Sequence, residues 1–199
     1  MNKYFKVFKK LILFSILLLI ALYLFLVNSY KFVYSENEVN SFVNEINNSP
    51  NLPNEFYELY NKEFDNSLEK STFNYLSKSI YKVETNKPVS HWVSKILCIK
   101  YFKNFSFSKI SKIEFSLALK IESLTNSKQQ LNWLMEHYDF GYNHTGIQNT
   151  SKFFFNKQLN QLNRTELATL VIMTRNPNFY NPLKRPEKVN QKLRILLKE

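Results

Sequence analysis

A chain of 199 residues with a formal net charge of +11 and a single cysteine is one domain plus an appendage, and it calls for anionic surroundings. It can form neither an internal disulfide nor a multi-cysteine metal site. The charge admits nucleic acid, an acidic lipid surface or a phosphorylated substrate. Nucleic acid has nothing else behind it, because zinc-ligand spacing, a basic heptad region and an RNA-recognition aromatic motif are all missing, so it is not expected as a partner.

The N-terminus reads as a membrane anchor. Lys3, Lys6, Lys9 and Lys10 precede an uncharged run over 11–30, and Lys31 follows it. Backbone buried in hydrocarbon must be helical, and a span needs about 20 mostly apolar residues. A cleavable signal would have a shorter core and a small-x-small site, whereas this run ends on Asn28-Ser29-Tyr30. The leading lysines should stay in the cytoplasm. The expectation is a single-pass protein of the cytoplasmic (inner) membrane, with lysines and anchor over 1–31 and a domain on the outer side. Residues 32–51 are polar and Asn-rich, which predicts a tether or short helices lifting the domain off the membrane. The folded domain then occupies 52–199.

From Leu52 onward the apolar spacing is helical. Pro53 suits a first turn, and Phe56, Leu59 and Tyr60 fall on one side. No stretch alternates with period two, so the fold class is mostly α. Cys98, between Leu97 and Ile99, reads as core and not as a nucleophile. His91, His137 and His144 offer no i, i+4 pair for a helical zinc site. The run 108–122 is a helix on which Glu114 and Glu122 stand about 80° apart. Flanked by Ile113 and Phe115, Glu114 is either a partly desolvated carboxylate suited to acid–base work or part of a wetter face with Ser111, Lys112 and Ser116. The two glycines, Gly141 and Gly146, share the segment 139–147. They serve either a bend needing φ > 0 or a helix cap followed by an ordinary turn. Phe153, Phe154 and Phe155 predict a buried aromatic plug. Asn163 or Thr165 caps the next helix, Asn176-Pro177 ends it, and a basic helix is expected over 187–197.

Several of these pieces recur in a familiar order. Lys112-Ile113-Glu114 is followed eight residues on by Glu122, then by Tyr138-Asp139-Phe140-Gly141 and Gly146-Ile147. Next come Ser151, Phe154-Phe155, Lys157, Leu159, Leu162, Glu166 and Ala168, and finally Asn176-Pro177, Tyr180-Asn181-Pro182-Leu183 and Pro186-Glu187. This order resembles the second half of the peptidoglycan glycosyltransferases of family 51, the transglycosylase module of class A penicillin-binding proteins and of monofunctional transglycosylases. The likeness is good from about 109 to 197 and weak from about 52 to 107.

The resemblance implies a lysozyme-like helical domain behind one transmembrane helix. It also implies polymerisation of a lipid-linked disaccharide-peptide pyrophosphate, the peptidoglycan precursor, at the membrane. Partners would be that precursor, the membrane and other cell-wall synthesis proteins, with Mg²⁺ as the one candidate cofactor and no protein-built metal site. Glu114 falls on the family's second catalytic glutamate, Glu122 on a structural one, and Gly141 and Gly146 on structural positions. The Glu–Asp pair that supplies the principal base maps to Phe64-Asp65, with Glu63 one residue early, so Glu63 and Asp65 complete the candidate catalytic set. In the Gly-Gly-Ser-Thr-Ile-Thr-Gln-Gln motif, Ser90 keeps the serine and Lys95 replaces a glutamine. The Arg-Lys pair expected before Glu114 reads Ile110-Ser111, leaving Lys112 nearby but out of register. Ser90, Lys95 and Lys112 are thus the candidate substrate-binding residues. Phe64 at the base position also opens a rival reading, a catalytically inactive membrane-anchored relative acting as a binding or scaffold protein. A lytic hydrolase on the same fold is a third.

Overall fold

The computed structural model describes residues 2–81, 83, 86–101 and 107–198; within the helices it leaves the side chains of 2, 3, 80, 100, 101 and 107–112 undescribed. The described residues are mostly helical and contain no strand, only one isolated antiparallel bridge between Asp139 and Thr145.

Helix α1 (Asn2–Asn28) is the anchor, and the stretch Tyr4–Phe32 is long and apolar enough to cross a membrane. Its side chains from Tyr4 to Phe25 are all exposed, as expected where lipid is the solvent. After a short 3₁₀ turn (Ser29–Phe32), α2 (Glu36–Asn48) starts at a capping box between Ser35 and Glu38. The stretch 32–51, expected as a tether or short helices, therefore joins the domain instead of lifting it away. Val39, Phe42 and Ile46 form a buried stripe at helical spacing inside an Asn-rich composition.

The junction with the anchor is tight. The hydroxyl of Ser116 donates to the carbonyl of Val27 (2.6 Å) and accepts from the N–H of Tyr30 (3.0 Å). A helix end leaves such backbone groups unpaired, and one buried serine satisfies two of them. The anchor is thus pinned to the helix that carries Glu114.

The remaining helices are α3 (Asn54–Glu63), α4 (Thr72–Ile80), α5 (Val89–Tyr101), α6 (Phe107–Leu124), α7 (Ser127–His137), α8 (Ile147–Phe155), α9 (Arg164–Arg175) and α10 (Pro186–Leu196). Helix α9 lies at the centre of one half of the domain, packed between α3 and α10, and every residue from Leu167 to Met173 is buried. A helix covered on all sides needs no polar face. Asn163, one of the two expected caps, starts it through a capping box with Glu166. In the other half α5 packs along α6 and α7, and α4 lies on α6. Cys98 is fully buried on α5, where the Tyr34 hydroxyl points at its sulfur (3.7 Å); burial pushes its thiol up to about 12.

Phe153, Phe154 and Phe155 do not form a buried plug. Phe153 is exposed, its ring tilted against those of Tyr142 and His144, while Phe154 and Phe155 are half-buried. Three consecutive helical residues span about 200° of arc, so one helix face cannot bury them all.

Candidate functional site

Glu114 sits on α6 two residues before Ser116, about 200° around the helix. The anchor occupies the Ser116 side, so Glu114 turns away from it towards α5. There it lies within the fields of Lys95 of α5 and of Lys87, which lies just before that helix. The carboxyl is half-buried, and among the described residues no hydrogen bond or ion pair reaches it. Burial raises its proton affinity above the ordinary range of a glutamate, and the fields of Lys95 and Lys87 only partly oppose this.

The two lysines are organised around one indole. Lys87 Nζ lies 5.3 Å and Lys95 Nζ 5.2 Å from the centre of the Trp92 ring. Lys87 Nζ also donates to His91 Nε2 at 2.9 Å, which makes that nitrogen the acceptor of the imidazole. Burial and then the two lysines push His91 down to about 4, so it is neutral at pH 7. Lys87 is itself lowered, first by burial and then by Lys95, with Glu114 pulling the other way. Two ammonium groups whose fields reach one half-buried carboxylate, unpaired among the described residues, leave a net positive site with a ready proton donor or acceptor. Such a site favours an anion whose charge changes during reaction.

The structure distributes the other expected residues differently. Glu122 accepts the N–H of Thr72 with both carboxylate oxygens (2.9 and 3.2 Å), holding the first turn of α4 against α6. Ser90 does not join the Glu114 group. It is buried, its hydroxyl paired with that of Thr72 at 2.7 Å, because its place on the first turn of α5 points it at α4. Lys112 lies on α6, but its side chain is outside the described residues.

Glu63 is committed elsewhere. Its Oε1 accepts from Arg175 Nε (2.7 Å) and forms an ion pair with Lys192 Nζ (3.0 Å), its backbone carbonyl accepts from Arg175 Nη2 (2.9 Å), and its side chain is 2% exposed. This ion cluster ties the end of α3 to α9 and α10. Phe64, at the position expected for the base, packs on Tyr60 (ring centres 4.6 Å apart) and under the Arg175 guanidinium (4.9 Å). Asp65 is exposed, in left-handed conformation (φ 50°), and pairs with Lys70 at 2.7 Å; that bond holds its carboxyl below the usual range.

Both glycines adopt φ that disfavours a side chain, +85° at Gly141 and +87° at Gly146. Between them Tyr142 and Asn143 also have positive φ, and the His144 N–H bonds back to the Gly141 carbonyl (3.0 Å), the pattern of a type I′ turn. A Cβ on Gly146 would stand 2.9 Å from the Glu136 carbonyl oxygen, whereas one on Gly141 would reach nothing nearer than 3.9 Å. The bend is anchored by the Tyr138 hydroxyl on the Thr174 carbonyl (2.8 Å), so it lies against the end of α9, and none of its hydrogen bonds reaches the Glu114 helix.

Lys87 and His91 went unassigned in the sequence reading. Four residues apart, they meet because α5 begins between them, and a Lys-x-x-x-His spacing straddling a helix start was the available signal. Mg²⁺ does not suit this donor set: one carboxylate between two ammonium groups repels a cation, and among the described residues no three acidic, histidine or cysteine side chains converge.

Two comparisons bear on this arrangement. The family described as Transglycosylase matches residues 94–199, just over half of the chain, from the middle of α5 through α10. Penicillin-binding protein 1F of Bacillus subtilis (strain 168) is similar at 26% identity over 116 residues, 58% of this chain. The match covers only 16% of that relative's length. Lys87 and His91 lie outside the matched segment, as do Glu63, Asp65 and Ser90.

Proposed function

Since the chain belongs to the transglycosylase family, we propose that it binds the lipid-linked disaccharide-peptide pyrophosphate of peptidoglycan synthesis beside Lys87, Lys95 and Glu114, where α5 packs on α6, with little polymerising turnover of its own. The observation that carries this reading is Glu114: half-buried, unpaired among the described residues, and within the fields of Lys87 and Lys95. The lysines would hold the pyrophosphate as point charges, and Glu114, whose proton affinity burial raises, would exchange a proton with it. The membrane anchor supports a membrane-borne substrate, and the lysines ahead of α1 favour a domain on the outer side of the cytoplasmic membrane.

Full transfer has a further requirement. The acceptor sugar hydroxyl must lose its proton to a base as its oxygen bonds the donor's anomeric carbon and the lipid pyrophosphate departs. Phe64 cannot take that proton, and Glu63 is neutralised by two cations and closed to solvent. Loss of a general base costs about 10²–10⁴ in rate. The same observation favours the second reading, a binding or scaffold protein that has ceased to polymerise. Binding of purified precursor to the full chain in detergent micelles, and glycan-chain formation from it, test both. Binding weakened by Lys87→Gln/Lys95→Gln, with scant polymer, is the expected result. Robust polymerisation abolished by Glu63→Gln would overturn the weak-turnover reading.

A further inference from the structure

A concave surface lies on the opposite side of α6 from Glu114. Leu119, Lys120 and Ser123 follow Ser116 at helical spacing, and with Phe73 of α4 and Tyr23, Val27 and Lys31 they line a groove of about 490 Å³. Its size falls in the roughly 300–1,000 Å³ range of small-ligand sites. One wall, Tyr23 and Val27, belongs to the last turns of the membrane helix, so the groove opens where that helix leaves the bilayer. Phe73 opposes them and is 59% exposed, an apolar ring held out where the membrane surface must lie.

The polar end is equally specific. Lys31 and Lys120 share one carboxylate, Glu36, at 3.4 and 3.8 Å, longer than a tight ion pair. Two ammonium groups against one carboxylate leave a single positive charge at the level of the lipid headgroups. We propose that this groove binds one anionic phospholipid of the surrounding leaflet. The phosphodiester would sit between Lys31 and Lys120, with the start of an acyl chain along Tyr23, Val27, Phe73 and Leu119. Charge selects the headgroup: a zwitterionic lipid offers the same phosphate but adds a cation that the two lysines repel. Because Ser116 pins the anchor to α6 beside this groove, the bound lipid would fix how the domain stands on the membrane.

The test uses the full chain in nanodiscs of equal parts phosphatidylglycerol and phosphatidylcholine, transferred to non-ionic detergent and weighed by native mass spectrometry with its retained lipid. The unaltered chain should keep phosphatidylglycerol in preference to phosphatidylcholine. Lys31→Gln and Lys120→Gln should each cut that preference roughly fivefold, the worth of one basic residue at a charged membrane surface. Phe73→Ala, at an exposed position that does not threaten folding, should lower retention of both lipids. Equal retention of the two lipids by the unaltered chain, or an unchanged preference in both lysine variants, overturns the proposal. Displacement of phosphatidylglycerol by undecaprenyl pyrophosphate, lost in the same lysine variants, overturns it in favour of a precursor site.

Discussion

Replacing Glu63 by glutamine separates a structural carboxylate from a catalytic one. Its Oε1 takes a charge-assisted hydrogen bond from Arg175 and an ion pair with Lys192, and the side chain is 2% exposed while its partners are 37% and 23% exposed. Breaking a fully buried pair costs about 3–5 kcal/mol. Here the cations keep partial access to water, Arg175 keeps its place over Phe64 and its bond to the Glu63 carbonyl, and glutamine still offers an acceptor. About 2 kcal/mol is the reasonable expectation, from the worth of hydrogen bonds to charged groups. For a chain of this length that lowers the melting temperature by about 4–8 °C. Thermal unfolding of the full chain in detergent, followed by circular dichroism at pH 7, reads this directly. Arg175→Gln should cost a similar amount, and the double variant should lose less than the sum, because the two residues share one interaction. A base waiting for substrate would behave in the opposite way. If Glu63→Gln melts with the parent and still removes glycan formation, the assignment of Glu63 to the α3–α9–α10 ion cluster is wrong.

Other consequences follow from the same geometry. Gly146→Ala should destabilise by about 2–4 kcal/mol, since strain at positive φ adds to a collision with the Glu136 carbonyl, whereas Gly141→Ala should cost only about 1 kcal/mol; urea unfolding of both would refute this ranking if Gly141→Ala were the worse. His91 has a native value near 4 against an ordinary 6.5, so the unfolded chain binds more protons between those values and stability is lost as pH falls from about 6.5 to 4; His91→Asn should flatten that slope in melting curves, and an NMR titration of the imidazole should have its midpoint near 4. Glu114 is shifted the other way, so its charged form penalises the native state as pH rises through its raised value, and Glu114→Gln should be more stable than the parent at pH 7 while binding precursor more weakly in the micelle assay. Cys98, with its thiol pushed up to about 12, should resist maleimide until the chain is unfolded, and rapid labelling of the native protein would contradict its burial.

The sequence alone carried the anchor, the helical class, the segment that gathers both glycines, the core position of Cys98 and the family likeness of the second half. Each depends on a local property: apolar run length, spacing at 3.6 residues, scarcity of glycine, or motif order. Tertiary packing decided the rest. Residues 32–51 look like a polar spacer by composition, yet three apolar side chains on one face suffice to place α2 in the core. Phe153 looks buried by type, but helix geometry turns it out to solvent. Ser90 and Glu63 occupy positions close to those expected of substrate-binding and catalytic residues, and their neighbours, Thr72 in one case and Arg175 and Lys192 in the other, take up their polar atoms. Those partners lie 18, 112 and 129 positions away along the chain. No local pattern encodes which distant cation or hydroxyl will arrive at a side chain, and that arrival determines whether a carboxylate is free to act or is held as structure.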